Sequence, residues 1–320
     1  MEAKRLILLA FGLFAVSKRA NASPSSTSIE QGYELGEIQH PRAVAMAGAQ
    51  NALGSSTTAI FMNPANLPLQ RVYHFEALGA FSPEARRQSY GGAVADSSTS
   101  RLAGGFGGTW SQMDPDGIKR QWTDLRLTLA YPLSDRISFG LTGRYLRAAQ
   151  NISSGPLGSS LASDGTSDGP NFNSFTFDAG VTVIPTEGLR LGLVGHNLTV
   201  PSNGFAPTTL AGGIGYQTSI FAIEVDGLAD FTTWKNTRGR IMAGGEVFLA
   251  DHVPIRLGYR YDDGMRTHAI SAGLGYVDKR WSVELGARRD VAADQPATLF
   301  VLGLRLFYDG FTSGDTPDPI

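Results

Sequence analysis

The chain has 320 residues, with 27 Lys and Arg, 29 Asp and Glu, 39 Gly and no Cys. The balanced charge argues against a nucleic-acid partner. The lack of cysteine excludes disulfides, thiol nucleophiles and cysteine-ligated zinc or iron–sulfur sites. A charged fraction of 18% with a mean hydropathy of −0.09 excludes both a polar disordered chain and a helical membrane protein.

Residues 1–22 have the pattern of an export signal peptide. Lys4 and Arg5 form a basic start, 6–16 is an apolar run of eleven residues, and 20–22 (Ala-Asn-Ala) is a small-x-small cleavage site. Eleven apolar residues are too few to cross a bilayer as a helix. A retained anchor stays an alternative, because Lys18 and Arg19 lie close to the cleavage site.

Small and apolar residues dominate the next part of the chain, up to about residue 70. Two short pieces, 43–47 and 59–67, favour helices. Asn63 followed by Pro64 is a common helix start, with Asn as N-cap and Pro at the first helical position. We therefore assign 23–69 to an N-terminal segment that precedes the strands.

After Arg71 the periodicity changes to two, which is the strand period. Leu127 and Leu129 alternate with Arg126 and Thr128, for example, and the pattern recurs in segment after segment. An outer-membrane barrel has this pattern, with its apolar face towards lipid and its polar face towards the lumen. A soluble sandwich has it as well, with its apolar face in a core, and it remains an alternative.

Turn signals divide this region into about fourteen strands. The predicted strands are 70–81, 86–96, 100–111, 119–132, 136–149, 172–185, 188–199, 207–217, 219–230, 238–250, 253–263, 266–277, 280–290 and 297–308. An even count is typical of single-chain bacterial barrels, which have short periplasmic turns and longer outer loops. Connections after even-numbered strands are short, whereas the opposite side includes 152–171. We predict an all-β fold: an antiparallel transmembrane β-barrel of about 14 strands over 70–310, followed by a tail, 311–320.

Aromatic residues near the strand ends support the membrane interpretation. Trp110, Tyr131, Tyr259 and Trp281 are among those that could form girdles at the membrane interfaces. The alternative is that strands favour aromatic residues in any protein.

Two pieces of the N-terminal segment resemble the plug of FadL-type outer-membrane transporters of hydrophobic compounds, and of the related PorV/PorQ-type barrels. They are 41–49, with the sequence PRAVAMAGA, and 57–67, with the sequence TTAIFMNPANL. The order and spacing of these pieces carry the resemblance. Three features depart from the family pattern: Ala47 replaces a Gly, 55–58 lack acidic residues, and Asn66 replaces a small residue.

The resemblance implies fourteen strands with a short helical plug inside the lumen, in the outer membrane. It implies passive uptake of hydrophobic small molecules, of the fatty acid or aromatic hydrocarbon class, by a protein in contact with outer-membrane lipid. The plug would shift, and the ligand would leave through the wall or the lumen. We expect six residues to form the moving, ligand-sensing part, with static packing as the alternative: Met46, Phe61, Met62, Asn63, Pro64 and Leu67. The PorV-like branch implies instead a barrel that binds protein partners in secretion or surface assembly.

The polar face of the predicted strands carries charges and glycines that suit an occupied lumen. The charged residues, expected to pair across strands and anchor the plug, with substrate selection as the alternative, are Asp124, Arg126, Arg144, Asp178, Arg190, Glu224, Asp226, Glu246, Arg256, Arg260, Glu284, Arg288 and Arg305. The glycines, expected to leave room for it, are Gly140, Gly192, Gly213, Gly215, Gly244, Gly273 and Gly275. A lumen of fourteen strands would otherwise be open.

The sequence holds no pattern that favours catalysis. The five His residues include no i, i+4 pair, and neither a phosphate-binding loop nor a Gly-x-Ser-x-Gly elbow occurs. We predict a protein that is not an enzyme and has no cofactor or metal.

Overall fold

A computed structural model describes residues 40–114, 117, 119–150, 172–199, 206–293 and 296–308. The predicted signal peptide 1–22, the first part of the N-terminal segment, the whole outer stretch 152–171 and the tail 311–320 lie outside these residues. The domain boundaries therefore remain predictions.

The described residues include fourteen antiparallel strands that form one closed barrel, in which β14 pairs with β1. The strands are β1 (Tyr73–Ser82), β2 (Arg87–Asp96), β3 (Ala103–Met113), β4 (Arg120–Ser134), β5 (Ile137–Gln150), β6 (Phe172–Thr186), β7 (Leu189–His196), β8 (Thr209–Gln217), β9 (Phe221–Asp230), β10 (Arg238–Leu249), β11 (Val253–Asp262), β12 (Thr267–Val277), β13 (Trp281–Ala292) and β14 (Thr298–Phe307). Each lies on one predicted strand, with ends shifted by about three residues or fewer. The predicted all-β barrel of fourteen strands is confirmed.

Side chains alternate between the two faces of the wall, as the period of two predicts. On β4, Leu127 is 60% exposed, whereas its neighbours Arg126 and Thr128 are buried. On β11, Leu257 is exposed and Arg256 is buried. The barrel thus has an apolar outer face and a polar inner face, which is the reverse of a soluble barrel.

The connections differ in length between the two ends of the barrel. Those after even-numbered strands have six residues or fewer, the longest being 97–102. At the other end, the connection between β5 and β6 covers 151–171. This difference agrees with short periplasmic turns and longer outer loops.

Residues 40–69 lie inside the barrel and contact strands on opposite sides of it. They form two short helices, α1 (Pro41–Ala45) and α2 (Thr57–Phe61), and a 3₁₀ helix, Pro64–Leu69. Proline stands at the first turn of α1 and of the 3₁₀ helix, where its missing N–H costs nothing. No helix among the described residues is long and apolar enough to cross a membrane. We call 40–69 the lumenal segment.

Glycines on the inner wall leave the space that the lumenal segment occupies. A Cβ at Gly258 would lie 2.6 Å from the carbonyl carbon of Met46, and one at Gly140 would collide with Pro64. Of the seven glycines predicted to leave room for the plug, five lie against the lumenal segment: Gly140, Gly192, Gly215, Gly244 and Gly273. The prediction is wrong for Gly213, where the Asp226 side chain takes the space, and for Gly275, which faces wall residues.

Candidate functional site

A pair of carboxylates on β9 holds a turn of the lumenal segment. Asp226 accepts hydrogen bonds from the backbone N–H groups of Gln50 and Asn51, both at 2.9 Å, and from the Asn51 side chain at 2.8 Å. Glu224 accepts from the backbone N–H groups of Ala52, at 2.5 Å, and Leu53, at 3.1 Å. Four successive backbone amides therefore bind two buried carboxylates. We call residues 50–53 the amide turn.

The Asn-Pro-Ala-Asn motif, 63–66, joins this turn to β6, three strands from β9 around the wall. Asn63 caps the 3₁₀ helix by accepting from the Ala65 N–H at 3.1 Å, and its amide donates to the Asn51 carbonyl at 2.8 Å. Asn66 accepts from the Thr182 hydroxyl of β6 at 2.6 Å and donates to the same Asn51 carbonyl. The departure from the family pattern at Asn66 thus adds a bond to the wall.

A row of alternating acids and arginines runs along the inner wall from β1 to β10. Arg305 contacts Glu76 at 3.3 Å and Glu284 at 3.6 Å. Arg256 contacts Glu284 at 2.7 Å and also pairs with Glu246. The row reaches the lumenal segment at both ends. Glu246 binds Arg42 at 2.8 Å, and Glu76 binds His40 at 2.9 Å.

A second charged cluster lies on β4, β5 and β6. Asp124 binds Arg126 at 2.7 Å and Arg144 at 2.6 Å, and Arg144 reaches Asp178 at 3.4 Å. Arg126 also donates to the Phe61 carbonyl at the end of α2, at 2.8 Å, and lies over the Phe61 ring. This cluster holds α2 against the wall, and charge-assisted bonds of this kind are the strong ones.

A cavity of about 120 Å³ lies between the lumenal segment and the part of the wall nearest the predicted outer loops. We call it the upper cavity, since its lining side chains come from the halves of β4, β5, β10, β11 and β13 that lead to the predicted outer loops. The lining is Ala43, Val44, Ala47, Gly48, Asn51, Met62, Arg126, Arg144, His196, Asn197, Pro207, Thr209, Ala211, Leu228, Arg240, Met242, Arg260 and Arg288. It combines apolar side chains with five arginines.

The structure places the six predicted plug residues inside the barrel, all of them buried. Only Met62 lines the upper cavity. Met46 packs on Gly244 and Gly258, and Phe61 packs on Gly107. Leu67 belongs to an apolar cluster with residues of α2, β1 and β2. Their ligand-sensing role remains a prediction.

The predicted charged residues lie on the buried side of the strands, and the structure divides them into groups. Arg126, Arg144, Arg260 and Arg288 line the upper cavity. Glu224 and Asp226 bind the amide turn, and Glu246, Arg256, Glu284 and Arg305 belong to the row. Asp124 and Asp178 pair with cavity arginines, and Arg190 is buried on β7, outside the cavity lining.

Four residues of these networks were missed by the sequence reasoning: His40, Arg42, Glu76 and Arg240. The alternation in Phe75, Glu76 and Ala77 would have placed Glu76 on the inner face. Arg240 follows the same rule on β10. His40 immediately precedes α1, and Arg42 lies in it. The strand period of two does not apply there, so it could not predict which way these side chains point.

No known protein-family profile matches the chain, and no curated protein matches its sequence. Solved structures do match its fold. The toluene transporter TbuX of Ralstonia pickettii is 13% identical, with a TM-score of 0.60, and the match covers 86% of this chain and 100% of that one. The toluene transporter TodX of Pseudomonas putida is 13% identical, with a TM-score of 0.59 and coverage of 83% and 96%.

A FadL homologue of Pseudomonas aeruginosa is 14% identical, with a TM-score of 0.58, and the match covers 85% of this chain and 98% of that one. The chain therefore has the fold of FadL-type barrels, as its N-terminal motifs predicted. These matches give no support to the PorV-like alternative of a barrel that binds protein partners.

Proposed function

We propose that the protein is an outer-membrane barrel for passive uptake of hydrophobic small molecules, of the fatty acid or aromatic hydrocarbon class. The observation that carries the proposal is the apolar outer face of a closed barrel whose lumen is occupied. Leu127, Phe175, Ile241 and Leu257 are each more than half exposed on it. Burying such a belt in lipid removes its contact with water, which is favourable in proportion to its area.

The lumenal segment is suited to move. Helices of five residues are far too short to be stable by themselves, so α1 and α2 keep their shape through contacts with the wall. Besides packing on the wall glycines, those contacts include polar groups that a ligand could compete for: Asp226 and Glu224 at the amide turn, Arg126 at α2, and Glu246 at Arg42. A ligand that competes with some of them would shift the segment without unfolding the barrel.

The outer wall favours exit through the side of the barrel. Apolar residues of β14, β1, β2 and β3 line a depression there, among them Phe75, Phe106 and Trp110. On the inner face of β3, Phe61 and Ile60 pack on Gly107 and the neighbouring Gly105. At Gly105 and Gly107 the wall thus presents no side chain to the lumenal segment.

An uptake measurement with a removable cross-link tests both the function and the route. The chain has no Cys, so Val94→Cys with Phe106→Cys introduces a single possible disulfide between paired residues of β2 and β3. Paired residues in an antiparallel ladder lie at about 4.5–5.5 Å between Cα atoms, within disulfide range. We expect a bacterial host without its own channels for such compounds to take up labelled toluene or oleate when it makes the reduced protein, and less when the disulfide forms.

Each outcome has a clear meaning. Uptake no faster than in the host without the protein would refute the transport function. Uptake that is equal in the oxidised and reduced proteins would refute the side route and leave transport standing. The single variant Val94→Cys, under the same oxidising conditions, is the matched control.

A further inference from the structure

The carboxyl groups of Glu224 and Asp226 meet on the inner face of β9. The two residues are two positions apart in the strand, so their side chains leave it on the same side. A Cβ on Gly213, which is paired with Asp226 on β8, would lie 2.0 Å from Asp226 Oδ1 and 3.1 Å from Glu224 Oε1. The two oxygens therefore share the space that this glycine leaves open. Each residue is only 1% exposed. We call Glu224 and Asp226 the acid pair.

The acid pair differs from the other acids of the networks on the inner wall, because no ion pair neutralises it. Each of the other acids contacts an arginine: Glu76, Asp124, Asp178, Glu246, Asp262 and Glu284. The partners of the acid pair are the N–H groups of the amide turn instead. Among the residues that the structure describes, no Lys, Arg or His side chain forms an ion pair with either acid.

The elements packed against the acid pair bring it little positive charge. The amide turn has no titratable side chain, and the inner face of β8 beside the pair consists of Gly213 and Gly215. The charged or titratable residues on the inner side of α1, β7, β9 and β10 are Arg42, Arg190, His196, Asp230, Arg238, Arg240 and Glu246. All of these except Arg190 are bound to other groups. Arg190 attracts Glu224, and one arginine offsets one negative charge of the pair but not both.

One oxygen of the acid pair is left without a hydrogen-bond partner. Asp226 Oδ2 accepts three N–H groups, and each oxygen of Glu224 accepts one. Asp226 Oδ1 is buried and accepts none. Two carboxylates in one buried site repel each other, and such a pair commonly keeps one proton. A proton on Asp226 Oδ1, donated to Glu224 Oε1, removes one charge and satisfies this oxygen without displacing any N–H group.

We propose that the acid pair is a proton-binding site, in which Asp226 Oδ1 carries one proton and donates it to Glu224 Oε1, and that this proton fastens the amide turn to the wall. Loss of the proton leaves two adjacent negative charges, which repel each other and draw in water. The turn is then held less firmly. The lumenal segment is therefore fastened while the proton is bound, and it loosens as the pH rises through the release of that proton. Only the consequence for ligand passage rests on the proposed function.

Infrared spectroscopy tests for the proton directly, because the C=O stretch of a protonated carboxyl group is separate from the bands of carboxylates and backbone amides. We would compare the detergent-purified full protein with Asp226→Asn and Glu224→Gln at neutral pH. We expect a protonated-carboxyl band in the protein and its loss in both variants, since the proton needs both acids. Asp262→Asn is the matched control and should keep the band, because Asp262 is also buried but has an arginine partner. An unchanged band in Asp226→Asn, or an equal loss in Asp262→Asn, would overturn the proposal.

Hydrogen exchange of amides 50–53 tests whether the proton fastens the turn. Loss of one proton makes local opening up to about tenfold more frequent per pH unit, so exchange in the protein should rise with pH beyond its intrinsic pH dependence. Asparagine resembles the protonated aspartic acid, since its C=O accepts N–H groups and its NH₂ donates to Glu224. Asp226→Asn should therefore keep the turn protected, with no such rise. Equal pH dependence in both proteins, or none in either, would refute the fastening role.

These experiments need no ligand, so their outcome is separate from that of the uptake measurement. Heat-dependent gel mobility shows which variants are folded barrels. Failure of toluene uptake would refute the proposed function and leave the bound proton as measured. Absence of the protonated-carboxyl band would remove the proton from the acid pair and leave uptake untouched.

Discussion

The hold of β9 on the amide turn can be tested by removing one carboxylate. Asp226→Ala leaves three buried N–H donors without their acceptor: the backbone amides of Gln50 and Asn51 and the side chain of Asn51. Each unsatisfied buried donor costs about 1–3 kcal/mol. Even at the low end, the three together weaken the attachment of the turn by about 3 kcal/mol.

Hydrogen exchange of the lumenal segment measures this change. A cost of about 3 kcal/mol makes local opening roughly a hundredfold more frequent, so amides 50–53 should exchange about a hundredfold faster in Asp226→Ala. The strands should keep their protection, because their ladders do not involve this side chain. Asp262→Ala is the matched control, since Asp262 is a lumenal carboxylate that pairs with Arg240. Unchanged exchange of the amide turn in Asp226→Ala, or an equal increase in Asp262→Ala, would refute the reasoning.

Three further predictions address the lumenal segment and one outer turn. Gly258→Ala places a Cβ 2.6 Å from the backbone of the lumenal segment. It should lower the free energy of unfolding, measured with denaturant, by about 1–3 kcal/mol. Gly227→Ala is the control and should not destabilise the barrel, because a Cβ there has nothing within 4 Å. Asn63→Ala removes a buried amide with three bonds and should raise ion conductance in planar bilayers; an unchanged conductance would contradict its anchoring role. Burial raises the pKa of Glu84, but hydrogen bonds from Thr298 outweigh this and hold that pKa below its ordinary value. The contribution of Glu84 to the stability of the fold is then complete above the pKa of the unfolded state, and it is lost as the pH falls through the lowered pKa of the folded state. The difference in melting temperature between the protein and Glu84→Gln should therefore vanish in acid.

Much of the fold could be predicted because it follows from local rules. The period of two assigns each side chain of a strand to one face, and this rule placed Arg126, Glu224 and Arg256 on the inner face correctly. Turn residues marked the ends of the strands to within about three positions. The order of the N-terminal motifs also predicted a segment inside the barrel.

The candidate site could be predicted only in part, because its contacts join residues that are distant in the chain. The acceptors of the amide turn lie more than 170 residues away, on β9. Their partners are backbone N–H groups, which every residue carries and which leave no mark in a sequence. Gly213 illustrates the same limit, since only the folded structure shows that Asp226 takes its space.

The sequence by itself determined the strands, their two faces and the presence of a non-strand segment at the start, since each depends on neighbours one to four positions apart. Only the tertiary structure decided which charges meet and where a cavity remains. Closing the barrel brings β1 against β14 and sets Glu76 beside Arg305, 229 positions along the chain. The five cavity arginines belong to five strands, and closure of the wall around the lumenal segment brings all five to the lining of one cavity.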